Sequence, residues 1–552
     1  MPAGNTAMKG PTVRSDPGPS VPSHVPALLE QAIALHRSGR LVAAQALYER
    51  IVSIDPTHSD ALQLLGTIAG QRNDPERALL LLNKALETHP HSPNGFVVHC
   101  NKGSALKLLG RLEAAVASYG ESIALNPRYA TAHLNKGIVL RELRRLDAAL
   151  ASYDCAIAIA PELAEAHYGR GNVLCDLGRP REAVASYDRA LTIRAAYAEA
   201  HSGRGNALRA LGILQEALAS YDRAIALKPE AAEFYVNRAI LRLLCGDFQR
   251  GLLDFEWRWK NPLGTNIKEQ RSFSQPLWLG EEALAGKRIL IYCEQGFGDT
   301  IQFCRYGKLL AERGATVLME VQQPLVSLLR GLSGVSQLIG RGDPLPEFDV
   351  HCPMLSLPLA LKTSASTIPA ARAYLSSDPT RVSEWRSRLT ARKPQVGLTW
   401  SGNPLYPQEH YRRISLAELV PHLPPQFQYV CLQRDVREAD QKVLHQHPEI
   451  LNFADELTDF ADTAALCDCM DVVISVDTSS AHLSAALGKP TWILLSASPD
   501  WRWLLGRADS PWYPSARLFR QHSIGDWSQV LEEVTANLTR VLERFTARDG
   551  PG

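Results

Sequence analysis

Residues 162–195, ELAEAHYGRGNVLCDLGRPREAVASYDRALTIRA, run directly into residues 196–229, AYAEAHSGRGNALRALGILQEALASYDRAIALKP, a second copy of one 34-residue pattern. Six copies are marked by Pro56, Pro90, Pro127, Pro161, Ala195 and Pro229, with a three-residue slip between the second and third. Other columns keep the same phase. Twenty-four residues before each marker stand Ala32, Gly66, Gly103, Gly137, Gly171 and Gly205. Twelve before it stand Ala44, Ala78, Ala115, Ala149, Ala183 and Ala217, and eight before it Tyr48, Leu82, Tyr119, Tyr153, Tyr187 and Tyr221. Small residues at fixed places let two helices approach, and the aromatic column fills the gap towards the neighbouring hairpin. The marker proline stops each second helix. A fixed period of this length predicts helical hairpins stacked into a superhelix with a long concave binding surface. A seventh, degenerate copy in Ala239, Gly251 and Phe255 closes with Trp257, Arg258 and Trp259, so the array is expected over residues 25–265.

The first helix of each pair is expected to line the concave face. Asn101, Asn135 and Asn237 lie two residues before the small-residue column, where an amide offers a peptide backbone both donors and an acceptor. Asn172 and Asn206 sit three positions later and break such a ladder. Exposed helix asparagines with no ligand role are the equally weighted alternative.

The remaining composition narrows the function classes. A chain of 552 residues with 45% hydrophobic content has room for several cores. A formal net charge of +1 argues against nucleic-acid and acidic-membrane partners. Residues 1–24, rich in Pro, Gly and Ser without an apolar run, read as a disordered leader and not a signal peptide. No stretch approaches the ~20 apolar residues of a membrane helix. The 10 cysteines lack paired or zinc-type spacing and are expected to be buried free thiols of a cytoplasmic protein. Cys467 and Cys469, two apart on an expected helix, point to different sides, which disfavours a metal role.

After residue 266 the period disappears and strands alternate with helices. Arg288 to Cys293 is a short apolar run, followed by the loop Glu294-Gln295-Gly296-Phe297-Gly298-Asp299 and an amphipathic stretch from Thr300 to Tyr306. Further strands are expected at Thr316 to Val321 and around Phe348 to His351. A second set covers Gln395 to Trp400, Gln428 to Leu432, Asp471 to Val476 and Thr491 to Leu495. The fold class expected is α + α/β: an all-helical array followed by two facing Rossmann-like lobes, residues 266–385 and 386–552, with a cleft between them. Ligands of such sheets bind at the carboxyl ends of strands.

Three loops at those ends carry the chemistry. Gly296-Phe297-Gly298 is a tight turn whose companion Asp299 serves either as helix cap or as a reactive carboxylate. Trp400-Ser401-Gly402-Asn403-Pro404 is followed by Tyr411-Arg412-Arg413-Ile414-Ser415, and two arginines before a helix suit a bound anion better than the helix dipole. Asp477-Thr478-Ser479-Ser480-Ala481-His482 opens a helix with hydroxyls and free N–H groups, a phosphate-binding arrangement; an ordinary cap by Asp477 or Thr478 is the alternative. His482 is read as a helix-surface histidine in preference to a phosphate or sugar ligand. Gln433 and Trp501 are further candidates for contacts to base or sugar.

The repeat columns resemble the tetratricopeptide repeat. The loops from Gly296 to Asp299 and from Asp477 to His482, with Gly488-Lys489-Pro490, resemble the heptosyltransferase-like glycosyltransferases of GT-B fold. The likeness extends through Trp501-Arg502-Trp503 and Trp512-Tyr513-Pro514, and bacterial proteins in which repeats precede such a domain are the nearest match. The resemblance implies that Asp299 activates an acceptor hydroxyl, and that Arg412 or Arg413 binds the donor diphosphate together with Asp477, Thr478, Ser479, Ser480 and His482. Gln295, Gly296, Gly298, Ser401, Gly402 and Asn403 then border acceptor and donor. The family's usual basic residue is lysine, replaced here by arginine. Motifs of the repeat-linked protein O-GlcNAc transferases are not found.

With no Asp-x-Asp pair to hold a divalent ion, a metal-independent transfer is expected, with a nucleotide-sugar as substrate and no cofactor. The acceptor expected is a protein or peptide held by the repeats. A non-catalytic scaffold with a degenerate transferase domain, and an enzyme acting on glycan or lipopolysaccharide, are the alternatives.

Overall fold

The structure, a computed structural model, describes residues 24–261, 271–389, 393–404 and 409–548. The expected leader, except Ser23's successor His24, lies outside the described residues. The chain forms two compact units that divide between Ala195 and Ala196. The division falls inside the repeats, so the last two hairpins belong with the sheets.

In the first unit the hairpins pair Val25–Arg37 with Leu41–Ile54, Ser59–Gln71 with Pro75–Thr88, and Gly95–Leu108 with Leu112–Leu125. Ala130–Glu142 pairs with Leu146–Ile159, and Ala164–Asp176 with Pro180–Ile193. The second unit begins with Ala198–Ala210 against Leu214–Leu227 and Ala232–Leu244 against Phe248–Phe255, then a 3₁₀ turn, Glu256–Lys260. Helix Pro180–Ile193 stops at the same repeat position as the others although Ala195 stands where they have proline. The extended backbone of Arg194 (φ −134°, ψ 89°) therefore ends it without help from a ring.

The glycine and tyrosine columns meet inside each hairpin. A Cβ on Gly103 would sit 2.7 Å from the Tyr119 ring, one on Gly171 2.7 Å from Tyr187, and one on Gly205 2.6 Å from Tyr221. Tyr153 also packs against Gly169 of the next hairpin, so the aromatic serves both its own and the following pair. The Tyr187 and Tyr221 hydroxyls donate to Asn172 Oδ1 and Asn206 Oδ1, each at 2.7 Å. These contacts leave no room for a methyl group. Gly205→Ala is expected to lower stability by about 1–3 kcal/mol through overpacking, read by thermal unfolding of the full chain; an unchanged midpoint would mean that Tyr221 gives way freely.

Beyond the array lie two parallel sheets. The first contains β1 (Arg288–Tyr292), β2 (Thr316–Val321), β3 (Gln337–Gly340) and β4 (Val350–Pro353) in the order β3-β2-β1-β4. The second contains β5 (Gln395–Thr399), β6 (Gln428–Cys431), β7 (Ile450–Asn452), β8 (Val472–Val476), β9 (Thr491–Leu495) and β10 (Ala516–Arg520) in the order β10-β9-β8-β5-β6-β7. These are the two Rossmann-like lobes. Helices cover the sheets, and β5, β8 and β9 are buried throughout because both faces are packed. Chain direction across each sheet reverses between β1 and β4 and between β5 and β8, the places where open parallel sheets generally bind ligands.

The last repeat is joined to the first lobe by a buried charge network. Arg258, 2% exposed, pairs with Glu294 at 2.9 Å and Glu256 at 2.6 Å and donates to Ser356 Oγ at 2.7 Å. Glu294 also accepts the Leu355 N–H at 3.0 Å. Phe248 of the last repeat packs edge-on against Trp501 at 6.2 Å. All ten cysteines are free, but Cys155 and Cys245 are exposed, contrary to the expectation of buried thiols. Among the described residues no helix is long and apolar enough to cross a membrane.

Candidate functional site

The loops following β1, β5 and β8 converge. Helix Phe297–Phe303 begins at the glycine loop after β1, and helix Ser479–Ala486 begins at the hydroxyl-rich loop after β8. A Cβ on Gly298 would lie 2.9 Å from His482 Cδ2 and 3.6 Å from Ser479 Cα, so only glycine lets these helix ends approach so closely. Gly402 plays the same part after β5: a Cβ there would lie 2.9 Å from the Arg412 guanidinium and 3.2 Å from the Thr478 methyl.

Of the two roles the sequence offered, Asp299 fills that of the helix cap and adds an ion pair to the other lobe. Its Oδ2 accepts the Gly296 N–H at 3.0 Å, closing the helix start, while Oδ1 pairs with Arg502 of the other lobe. Burial pushes the Asp299 carboxyl above the usual aspartate range, Arg502 opposes that shift, and Asp500 adds to it. Gln295 contributes its carbonyl to the Gln322 amide at 2.8 Å, which anchors the loop.

The two arginines separate. Arg412 ends the short helix Glu409–Arg412; it donates to the Asp477 carbonyl at 2.8 Å and pairs with buried Glu409 at 2.7 Å. Arg413 is exposed, and its carbonyl accepts from the Trp527 indole at 3.1 Å. Glu409 also accepts the Gly402 N–H at 2.6 Å and pairs with Arg437 at 3.2 Å. A carboxylate thus offsets the charge that the sequence left uncompensated before the helix.

Thr478 occupies the N-cap of helix Ser479–Ala486 in extended conformation, with no side-chain cap bond; its hydroxyl turns instead to Ser475 Oγ at 3.2 Å. Among the described residues the Ser479 and Ser480 N–H groups have no acceptor within the protein, so the helix starts with open donors. Burial raises the Asp477 carboxyl to about 6, with Asp500 adding to the shift and Arg412 and Arg502 opposing it.

His482 is not on the surface, in contrast to the sequence-based preference. It is 6% exposed, its Nδ1 meets the Tyr513 hydroxyl at 2.8 Å, and its ring stacks on Trp503 at 5.2 Å. Burial, with Arg502, Arg305 and Arg412 nearby, holds it well below the ordinary histidine range and therefore neutral at pH 7. Gln433 is consumed structurally: its Oε1 accepts the Trp400 and Ser401 N–H groups at 2.6 and 2.8 Å, and its Nε2 donates to Ser401 Oγ at 3.2 Å. Trp501 is buried between Phe248, Phe303 and Trp512. Asn403 is exposed.

The repeat asparagines are tied to neighbouring first helices. Asn101 Nδ2 donates to Thr67 Oγ1 at 2.9 Å, Asn135 Nδ2 reaches Cys100 Sγ at 3.7 Å, and Asn237 Nδ2 donates to Ser202 Oγ at 3.2 Å. Each amide therefore already spends a donor within the array.

Sequence reasoning missed Glu409, Arg437, Asp500 and the role of Arg502. An arginine flanked by two tryptophans was the available signal for Arg502, since such a cation is commonly held over aromatic rings. Glu409 and Arg437 carried none, because their meeting is made by folding.

Residues 402–525 match the family model of glycosyltransferase family 9 (heptosyltransferase). Tetratricopeptide repeat models match residues 35–95, 103–144, 137–178 and 162–237. Protein FlbA of Caulobacter vibrioides is 28% identical over 330 residues, 54% of this chain and 54% of its own, so the chain spans about half the length of that curated relative. A solved tetratricopeptide repeat protein of Parabacteroides merdae is 21% identical with a TM-score of 0.37, covering 44% of this chain and 96% of its own. A thermophilic repeat protein of Thermus thermophilus is 26% identical with a TM-score of 0.29, covering 33% and 98%. The chain thus carries tetratricopeptide repeats and a glycosyltransferase family 9 domain.

Proposed function

We propose that the two lobes transfer a sugar from a nucleoside diphosphate donor to an acceptor hydroxyl, and that the repeats select a protein or peptide as acceptor. The observation that carries this reading is the close approach of the β1, β5 and β8 loops, in which Gly298 abuts His482 and Ser479 and Gly402 abuts Arg412 and Thr478. Leaving-group departure concentrates negative charge on the diphosphate, which Arg412 and the Ser479 and Ser480 N–H groups stabilise. Asp299 takes the proton of the attacking hydroxyl. Asp299 lies outside the segment matched by the family model, so its role rests on the resemblance of the Gly296–Asp299 loop. A cytoplasmic location accords with ten unpaired cysteines.

The geometry favours Arg412 over Arg413 as the diphosphate ligand. Losing a charge-assisted hydrogen bond costs about 1.5–3 kcal/mol, so Arg412→Met is expected to weaken nucleoside diphosphate binding by roughly 10- to 100-fold. Arg413→Met is expected to leave it unchanged. Calorimetry across a panel of nucleoside diphosphates reads both, and equal effects of the two substitutions, or no binding by the parent chain, would reject the site. Mass spectrometry of cell proteins with and without the chain then identifies the acceptor: a sugar increment on protein supports the repeat groove as selector, and an increment confined to glycan refutes that part.

A further inference from the structure

Arg502 stands where the two lobes meet and is the group best placed to govern the proposed base. It lies in the turn Trp501–Trp503, with its side chain 8% exposed. Nη1 pairs with Asp500 at 2.8 Å, and Nη2 pairs with Asp299 of the opposite lobe. The guanidinium sits over the Trp501 ring at 4.7 Å and the Phe303 ring at 5.5 Å, which fix its plane. Trp501 in turn packs on Phe248, Phe303 and Trp512, so the arginine has little freedom to retreat. A planar fork that engages two carboxylates at once is a geometry lysine cannot reproduce.

We propose that Arg502 is a positioning residue of the transfer, clamping the Asp299 carboxylate of the acceptor loop to Asp500 of the donor lobe. The proposal rests on reading Asp299 as the base. Two consequences follow from charge and direction. With Oδ2 held by the Gly296 N–H and Oδ1 by Arg502, the carboxylate cannot rotate, and its remaining lone pairs are presented in one orientation. The guanidinium also favours the ionised form of a carboxylate that burial shifts towards the protonated one.

From the Trp501 turn come Arg502 and Asp500, which act in opposite directions on Asp299. From helix Ser479–Ala486 comes His482, neutral and bound to Tyr513. Asp477 and Arg412 lie on the adjoining loops, and Asp477 feels the charges of Asp500, Arg412 and Arg502. Arg502 is the cation paired directly with Asp299.

The test compares the parent chain with Arg502→Met, Arg502→Lys, Asp299→Asn and the Arg502→Met/Asp299→Asn double variant. In the pH profile of kcat, the acid limb of Arg502→Met is expected to move up by about 1 pH unit or more, because an opposite charge lowers a carboxyl by that amount. Arg502→Lys, which keeps the charge, is expected to shift it less and to guard against a folding defect in the methionine variant. A uniform loss of kcat at every pH, with the limb in place, would overturn the proposal.

Thermal stability provides a readout that needs no turnover. A carboxyl raised in the folded state contributes stability below its unfolded value that is lost as pH rises through the folded value. Arg502→Met is therefore expected to lose stability with rising pH relative to the double variant over a wider window than the parent loses relative to Asp299→Asn. Superimposable windows would also overturn it. If the parent transfers no sugar from any donor, the reading of Asp299 as base fails with it; a widened window would still establish the clamp between the lobes.

Discussion

Asp299→Asn is expected to slow sugar transfer by about 10²–10⁴-fold, the usual contribution of a positioned general base, while nucleoside diphosphate affinity stays close to that of the parent. The amide preserves an acceptor for the Gly296 N–H and nearly the same volume, so the loop after β1 keeps its shape. What is lost is the ability to take a proton, together with the ion pair to Arg502, towards which the amide nitrogen then points. The donor site proposed above uses Arg412 and the helix start at Ser479, which are bonded to other groups than this carboxylate. Steady-state kinetics with calorimetry on the same preparation separates the two. Turnover near that of the parent would remove Asp299 from the chemistry, and a parallel loss of donor affinity would make it a structural residue.

Arg258→Met is expected to lower stability by about 3–5 kcal/mol, because removing one partner of a buried pair leaves the other charge uncompensated. Glu294 has a fully buried side chain, and its pairing with Arg258 is what offsets the burial that pushes its carboxyl up. Its remaining bond, to the Leu355 N–H, is too little to hold an anion there. Two controls make the cause legible. Glu294→Gln added to Arg258→Met should recover part of the loss, since the stranded charge is gone. Arg258→Met should also recover as pH falls, because the raised Glu294 carboxyl then takes up a proton and ceases to be a buried ion. Thermal unfolding of the full chain between pH 5 and about 8, the range in which folded proteins tend to be most stable, reads both; a loss independent of pH and of Glu294 would assign the effect to packing alone. The consequence reaches function because Glu294 immediately precedes the loop that carries Asp299, so this junction holds both the last repeat and the proposed base.

Strand assignment illustrates what local pattern conveys. The interior strands β1, β2, β5, β6, β8 and β9, and the edge strand β4, which is buried throughout, were legible as short apolar runs, because a parallel strand packed on both faces has no polar side. β3, β7 and β10 were not. All three are sheet edges, and their sequences Gln337–Gly340, Ile450–Asn452 and Ala516–Arg520 alternate buried with exposed residues or are very short. An edge strand is stabilised by its one neighbour more than by its own composition.

The repeat columns, the two-sheet alternation and the three loops at strand ends were fixed by sequence alone, because each depends on residues close in the chain or on an exact period. Tertiary structure decided which arginine turns inward, that His482 is buried and neutral, and that Glu409, Asp500 and Arg502 join the site. These outcomes depend on contacts between distant segments: Arg502 meets Asp299 across 203 residues, and Arg412 meets Asp477 across 65. Spacing along the chain carries no trace of such encounters; the crossing of parallel strands and the burial it imposes create them.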